Sequence, residues 1–209
     1  MLRLRGIRLV GAIPYIFEIY YLPNLSLTSM KGSGQSDHPD GLFVVQTEAI
    51  IEAAQYLINL IKTGQIGGIA YQKVAYIGFS IGSVAGVSLS AQYPHAADAM
   101  ILHGFSWDVT NLYPGYLAGL QAPVNTLERP EWKQYSSYYQ SQSTPASRQA
   151  VVFFGDYDPA IVPVDFELRD MDALGLALSF GYHLVSAPQY TGPVFIGDGN
   201  RKFEFHELV

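Results

Sequence analysis

The sequence predicts an α/β fold: a mostly parallel sheet with helices on both faces. Two observations carry that expectation. Between residues 47 and 105, amphipathic and apolar segments alternate as helix, strand, helix, strand, the order that winds a parallel sheet. The second observation is a glycine-flanked serine, Gly78-Phe79-Ser80-Ile81-Gly82, placed where the first of those strands meets the next helix.

The elements follow in order. Residues 31–41, KGSGQSDHPDG, crowd Gly, Ser, Asp and Pro and predict a loop. A helix is expected over 47–63, because Ile50, Ile51, Ala54, Leu57, Ile58 and Ile61 recur on one face. Gly64 ends it, since glycine takes the left-handed cap conformation cheaply. Residues 73–79, KVAYIGF, read as a buried strand. The small-residue stretch after Ser80 reads as a helix ended by Pro94, and 98–105, DAMILHGF, as a second buried strand. Residues 106–150 scatter Trp and Tyr among Pro, Ser and Gln and predict an irregular lid inserted in the domain. Within it, 134–149 reads as a solvated loop. A strand is expected over 150–158, a helix over 164–181 carrying Asp170 and Asp172 on a solvated face, and a last strand in 190–200.

Composition bounds the function. The 209 residues suit one domain, 1–209, and 49% hydrophobic against 14% charged residues argues for a real core. A net charge of −6 argues against a nucleic-acid surface. The absence of cysteine removes disulfides, thiolate metal sites and a cysteine nucleophile. No apolar run is long enough to span a membrane. Residues 1–17 carry basic residues ahead of an apolar run, a weak signal-peptide pattern, so the compartment stays open between secreted and cytoplasmic. Asn24 stands in the one glycosylation sequon. Asp156, Asp158 and Asp165 have no regular spacing and no nearby histidine, so an acidic turn is expected there rather than a metal site. No cofactor is implied.

Ser80 is the informative residue. A serine hydroxyl is a poor nucleophile unless a base takes its proton and a turn exposes it. A strained strand-to-helix turn with flanking glycines does the second. The following helix then aims the N–H of Ile81 and the positive end of its dipole at the same point. That N–H is the expected oxyanion donor, a contribution of roughly 3 kcal/mol to a barrier.

Around this serine the chain resembles the α/β-hydrolase superfamily, and within it a group of fungal single-domain proteins. GSGQSDHPDG resembles the family's loop after the fourth strand, and VAYIGFSIGS its nucleophile elbow. YPHAADAMILHGFS, YDPAIVPVDFELRDMDALG and YTGPVFIGDGNRKFEF resemble the strand after the elbow, a part of the cap and the strand that delivers the acid. The likeness covers roughly residues 31–205. It implies a serine hydrolase of esterase or lipase type acting on an ester-like or other apolar small molecule, with Ser80 as nucleophile. The alternative is a catalytically impaired relative, a pseudoenzyme that binds an apolar ligand or a partner. The departures are specific. The family's early His-Gly loop is missing before residue 31, and Lys202 stands where the acid is expected by ungapped spacing. Asp158, in Gly-Asp-Tyr-Asp, and Asp198 remain alternatives for the acid. The histidine should follow the acid. His206 is the candidate base, and His183 reads as a packed residue. The fold is thus expected to be incomplete, trimmed at both ends, with exposed sheet edges that favour self-association.

Overall fold

The computed structural model describes residues 5–8, 18–22, 25–28, 30–110, 112–119 and 121–198. In chain order the elements are β1 (Arg5–Arg8), β2 (Glu18–Leu22), β3 (Leu25–Thr28), α1 (Thr47–Lys62), β4 (Ala75–Phe79), α2 (Ile81–Gln92) and β5 (Ala99–His103). Then come α3 (Leu112–Ala118), β6 (Gln121–Pro123), β7 (Tyr139–Gln142), α4 (Pro145–Val152), α5 (Ile161–Leu168), β8 (Asp172–Ala173), α6 (Leu174–Ser179) and β9 (Val194–Gly197). This is a mixed α/β fold. Among the described residues, no helix is long and apolar enough to cross a membrane.

Among the described residues, three small sheets form. β1, β2 and β3 pair antiparallel. Most of the signal-like stretch 1–17, and Asn24 of the sequon, lie outside the described residues. β4, β5 and β9 form a parallel sheet in that order. β6, β7 and β8 form an antiparallel one.

The parallel sheet takes the element order the pattern predicts, but β4 is not the buried strand expected, since Ala75, Ile77 and Phe79 are exposed. α1 buries Ile51, Leu57 and Ile58 along its apolar stripe, and Gly64 closes it at φ +73° with its N–H on Ile61 O. α2 is buried on nearly every side. Ile51 and Ile58 of α1 meet Ala85 and Leu89 of α2 and Met100 and Leu102 of β5 in one core. Gly86 makes the approach of α2 to the sheet possible: a Cβ there would lie 2.7 Å from the Tyr76 ring and 3.0 Å from Leu102. At the opposite end of β4, the Asp98 carboxylate accepts from the Val74 N–H and pairs with Lys62 and Lys73. These partners hold its carboxyl well below the usual carboxylate range, the Lys73 bond first among them.

Helices on both faces do not form among the described residues. β4 and β5 pack against α2 on one side. The opposite side carries the alternate residues Ile77, Phe79 and Phe195, which are 56%, 71% and 61% exposed. The pairings Ile77↔Ile101 and Ile101↔Phe195 put these in a row across the sheet. Between residues 121 and 176 the chain builds a second, antiparallel sheet unit with a core of its own.

That unit is more regular than an irregular insertion. Residues 139–142, expected as solvated loop, are the central strand β7. Tyr139 and Ser141 point to a second core with Val124, Trp132, Met171 and Leu176, where Tyr139 donates to Pro39 O at 2.7 Å. The expected strand over 150–158 is replaced by α4. Thr144 and Ser147 form a reciprocal capping box around Pro145, which starts a helix that runs through Val152. The helix expected over 164–181 is cut in two. Arg169 leaves the helical region and donates to Phe166 O at the end of α5 and to Gln142 O of β7, which lets residues 172–173 join the sheet as β8.

Candidate active site

Ser80 stands between the last residue of β4 and the first of α2, at φ 51° and ψ −117°. Among the described residues it is the one non-glycine with positive φ. Such a conformation costs about 1–3 kcal/mol and persists only where the surroundings enforce it. Here two contacts enforce it. The Ser80 N–H donates to His103 O at 2.9 Å, and the Ser83 hydroxyl donates to the same oxygen at 2.7 Å. Ser80 is thereby tied to the end of β5.

The two flanking glycines differ in their reasons. A Cβ on Gly78 would lie 2.5 Å from Gly82 O and 2.7 Å from Ser83 N, so the strand and the helix start touch there backbone to backbone. A Cβ on Gly82 would meet only the Tyr76 hydroxyl, at 3.8 Å. Gly82 is thus not what lets α2 approach the sheet; Gly78 and Gly86 do that. The Tyr76 hydroxyl donates to Gly82 O at 2.6 Å, and burial pushes it up to about 12.

Ser80 and Ile81 open on a cleft of about 470 Å³. Phe105, Val109, Leu112, Val151, Leu176 and Phe180 form much of its apolar wall. Ile81 begins α2, so its N–H precedes the first helical acceptor and faces no turn of its own helix. Ser80 O already accepts from Ser83 and Val84, which fixes that first turn.

The carboxylate alternatives fall in different places. Asp158 accepts from the Ala160 N–H at 2.9 Å and holds the turn before α5. Asp198 directly follows β9. The register Phe79↔His103↔Gly197 sets Ser80, Gly104 and Asp198 in one row as the three strands leave the sheet. His206 lies outside the described residues. His183 packs on α2 and α1, within 3.0 Å of the Ser88 hydroxyl and 3.7 Å of Glu48. His103 places its ring beside Phe195 on the bare sheet face, and His38 stacks on Tyr135. Among the described residues, no histidine lines the Ser80 cleft, and no group of three His, Asp or Glu side chains comes together as a metal site.

Across the cleft stand residues that sequence reasoning passed over: Gln121, Gln142, Arg148 and Asp172. Asp172 is not on the solvated face of a helix. It lies in β8 at the cleft, where solvent still reaches it, and partial desolvation by the surrounding protein pushes its carboxyl up to about 6 against the pull of Arg148. Arg148 is held by Asp165, with Nε on Oδ2 at 2.5 Å and Nη2 on Oδ1 at 3.1 Å. Tyr116 also lines the cleft, and burial together with Asp172 pushes its hydroxyl up to about 12. The signal available in the sequence was the period-two run Tyr139-Gln140-Ser141-Gln142.

Compared with models of known protein families and with curated proteins, the sequence finds no match in either.

Proposed function

We propose that this chain is a serine hydrolase of α/β-hydrolase type, acting on an ester-like acyl substrate held in the Ser80 cleft. The observation that carries the reading is the backbone of Ser80. A strained serine at a strand-to-helix junction, opening on an apolar cleft, is what an activated hydroxyl needs.

The chemistry is acyl transfer. Ser80 Oγ adds to the substrate carbonyl carbon while its proton passes to His206. The Ile81 N–H donates to the oxyanion as the tetrahedral adduct forms. The adduct collapses, the alcohol leaves with the proton from the histidine, and an acyl ester remains on Ser80. Water then repeats the sequence and releases the acid. Asp198 is the acid this arrangement favours. Neighbouring strands are about 4.8 Å apart, so Ser80 and Asp198 leave the sheet roughly 10 Å apart, a gap that one imidazole between two side chains bridges. Asp158 already serves its own turn. The segment 106–150 acts as the lid over the cleft.

One observation favours a second reading, a binding protein that keeps the elbow without turnover: no histidine among the described residues lines the cleft. Labelling with a fluorophosphonate separates the two. Labelling of the natural chain, lost in Ser80→Ala and reduced at least a hundredfold in His206→Gln, supports the hydrolase. A folded natural chain that does not label refutes it and leaves the binding reading.

A further inference from the structure

The small antiparallel sheet turns one face to the cleft. Gln121 pairs with Gln142 and Gln140 pairs with Asp172. Residues directly opposite each other, and residues two apart on one strand, share a face. All four side chains therefore share one face, and Gln121, Gln142 and Asp172 line the cleft across from Ser80.

Two of the amide oxygens on this face are already used. Gln140 Oε1 accepts from the Tyr116 hydroxyl at 3.5 Å, and Gln142 Oε1 accepts from Arg148 Nη1 at 3.3 Å. Gln121 Oε1 is buried with no hydrogen-bond partner. A buried acceptor without a donor is costly, and a ligand that supplies the donor recovers that cost. Asp172, on the same face, is a second acceptor.

The charges exclude the opposite choice. Arg148 is the cation at the cleft, and Asp165 neutralises it through two bonds. The excess charge on this face is the Asp172 carboxylate. An anionic group would be repelled there, while a donor would be drawn in.

We propose that this sheet face recognises a hydrogen-bond-donating group, a hydroxyl or an amide N–H, on an otherwise apolar ligand bound in the Ser80 cleft. The inference rests on the reading of that cleft as the substrate site. It assigns Gln121 and Asp172 to specificity and not to the chemical step.

The test uses the full chain carrying Ser80→Ala, so that no ester is consumed. Binding is measured by calorimetry at pH 8 for methyl ω-hydroxyalkanoates of four to ten carbons, each against the unhydroxylated methyl ester. The expected result is a preference of about tenfold for the hydroxy ester at one or more chain lengths. In Gln121→Met, which keeps the shape and loses the acceptor, that preference falls towards onefold. A folded Ser80→Ala chain that binds no ester, or that never prefers the hydroxy partner, overturns the proposal. So does a preference that survives Gln121→Met. The two proposals fail separately. A chain that labels at Ser80 but shows no preference loses only this one. A chain that prefers the hydroxy esters but does not label loses only the hydrolase.

Discussion

Gly78 and Gly82 flank the same serine and look alike in sequence, yet the structure gives alanine opposite effects at the two positions. At Gly78 the added Cβ would fall 2.5 Å from Gly82 O, 2.6 Å from Gly82 C and 2.7 Å from Ser83 N. All three atoms are backbone, so no side chain can swing aside. The helix start must move off the strand or the strand must bend. Overpacking of this kind costs about 1–3 kcal/mol, and a clash with backbone belongs at the upper end. At Gly82 the nearest atom is the Tyr76 hydroxyl at 3.8 Å, an ordinary contact, and the residue lies in the first turn of α2. Alanine there gains roughly 0.5–1 kcal/mol of helix propensity and lost unfolded-state freedom. For a chain of this size 1 kcal/mol moves Tm by about 2–4 °C. Gly78→Ala is expected to lower Tm by about 6–12 °C and Gly82→Ala to raise it by about 1–4 °C, read by circular dichroism melts with urea titration as a check. Equal effects at the two sites, or a Gly78→Ala chain as stable as the natural one, would refute the account of the elbow as a backbone contact at one glycine only.

Other outcomes follow from the same structure. Ser80→Gly relieves the positive φ and is expected to stabilise the chain by about 1 kcal/mol while abolishing fluorophosphonate labelling; Ser80→Ala abolishes labelling without that gain, and melts of the two variants distinguish them. Asp172 binds its proton more tightly folded, up to about 6, than unfolded, near 3.8, so the folded chain holds the extra proton between those values and stability falls as pH rises through them. Asp172→Asn should therefore stabilise the chain at pH 8 and lose that advantage by pH 4, as urea midpoints across the range will show. The row Ile77, Ile101 and Phe195 leaves an apolar strip on the bare sheet face, and the natural chain is expected to self-associate. Light scattering should find more monomer in Ile77→Lys with Phe195→Lys; a natural chain that is monodisperse and monomeric counts against it.

The parallel sheet was legible because its signals are local. The stripe from Ile50 to Ile61, the apolar runs ending at Phe79 and His103, and Gly64 each declare their conformation within a few residues. Ser80 was legible for the same reason: the strain it carries needs glycine at 78, and that glycine is in view. The unit after residue 106 was harder because its determinants are distant. Tyr139 looks like a loop tyrosine until Pro39 supplies its acceptor, a hundred residues away. Val151 and Val152 favour a strand by themselves, and the capping box at Thr144 overrides them. Asp172 stays exposed as expected, but it reads as a helix residue until β8 pairs with β7 and sets it at the cleft. The alternation in residues 139–142 was there to be read, but polar Ser141 on the same phase as Tyr139, opposite Gln140 and Gln142, blurred it.

The double use of His103 O has a mechanical consequence. One carbonyl accepts from both Ser80 and Ser83, so the serine takes its height from the neighbouring strand and not from its own. The next residue along that strand, Gly104, turns at φ 61° and leads directly into Phe105, Ser106 and Val109 on the cleft wall. Wall and elbow are thus levered from a single peptide. The height of the serine and the shape of the wall beside it are therefore set together.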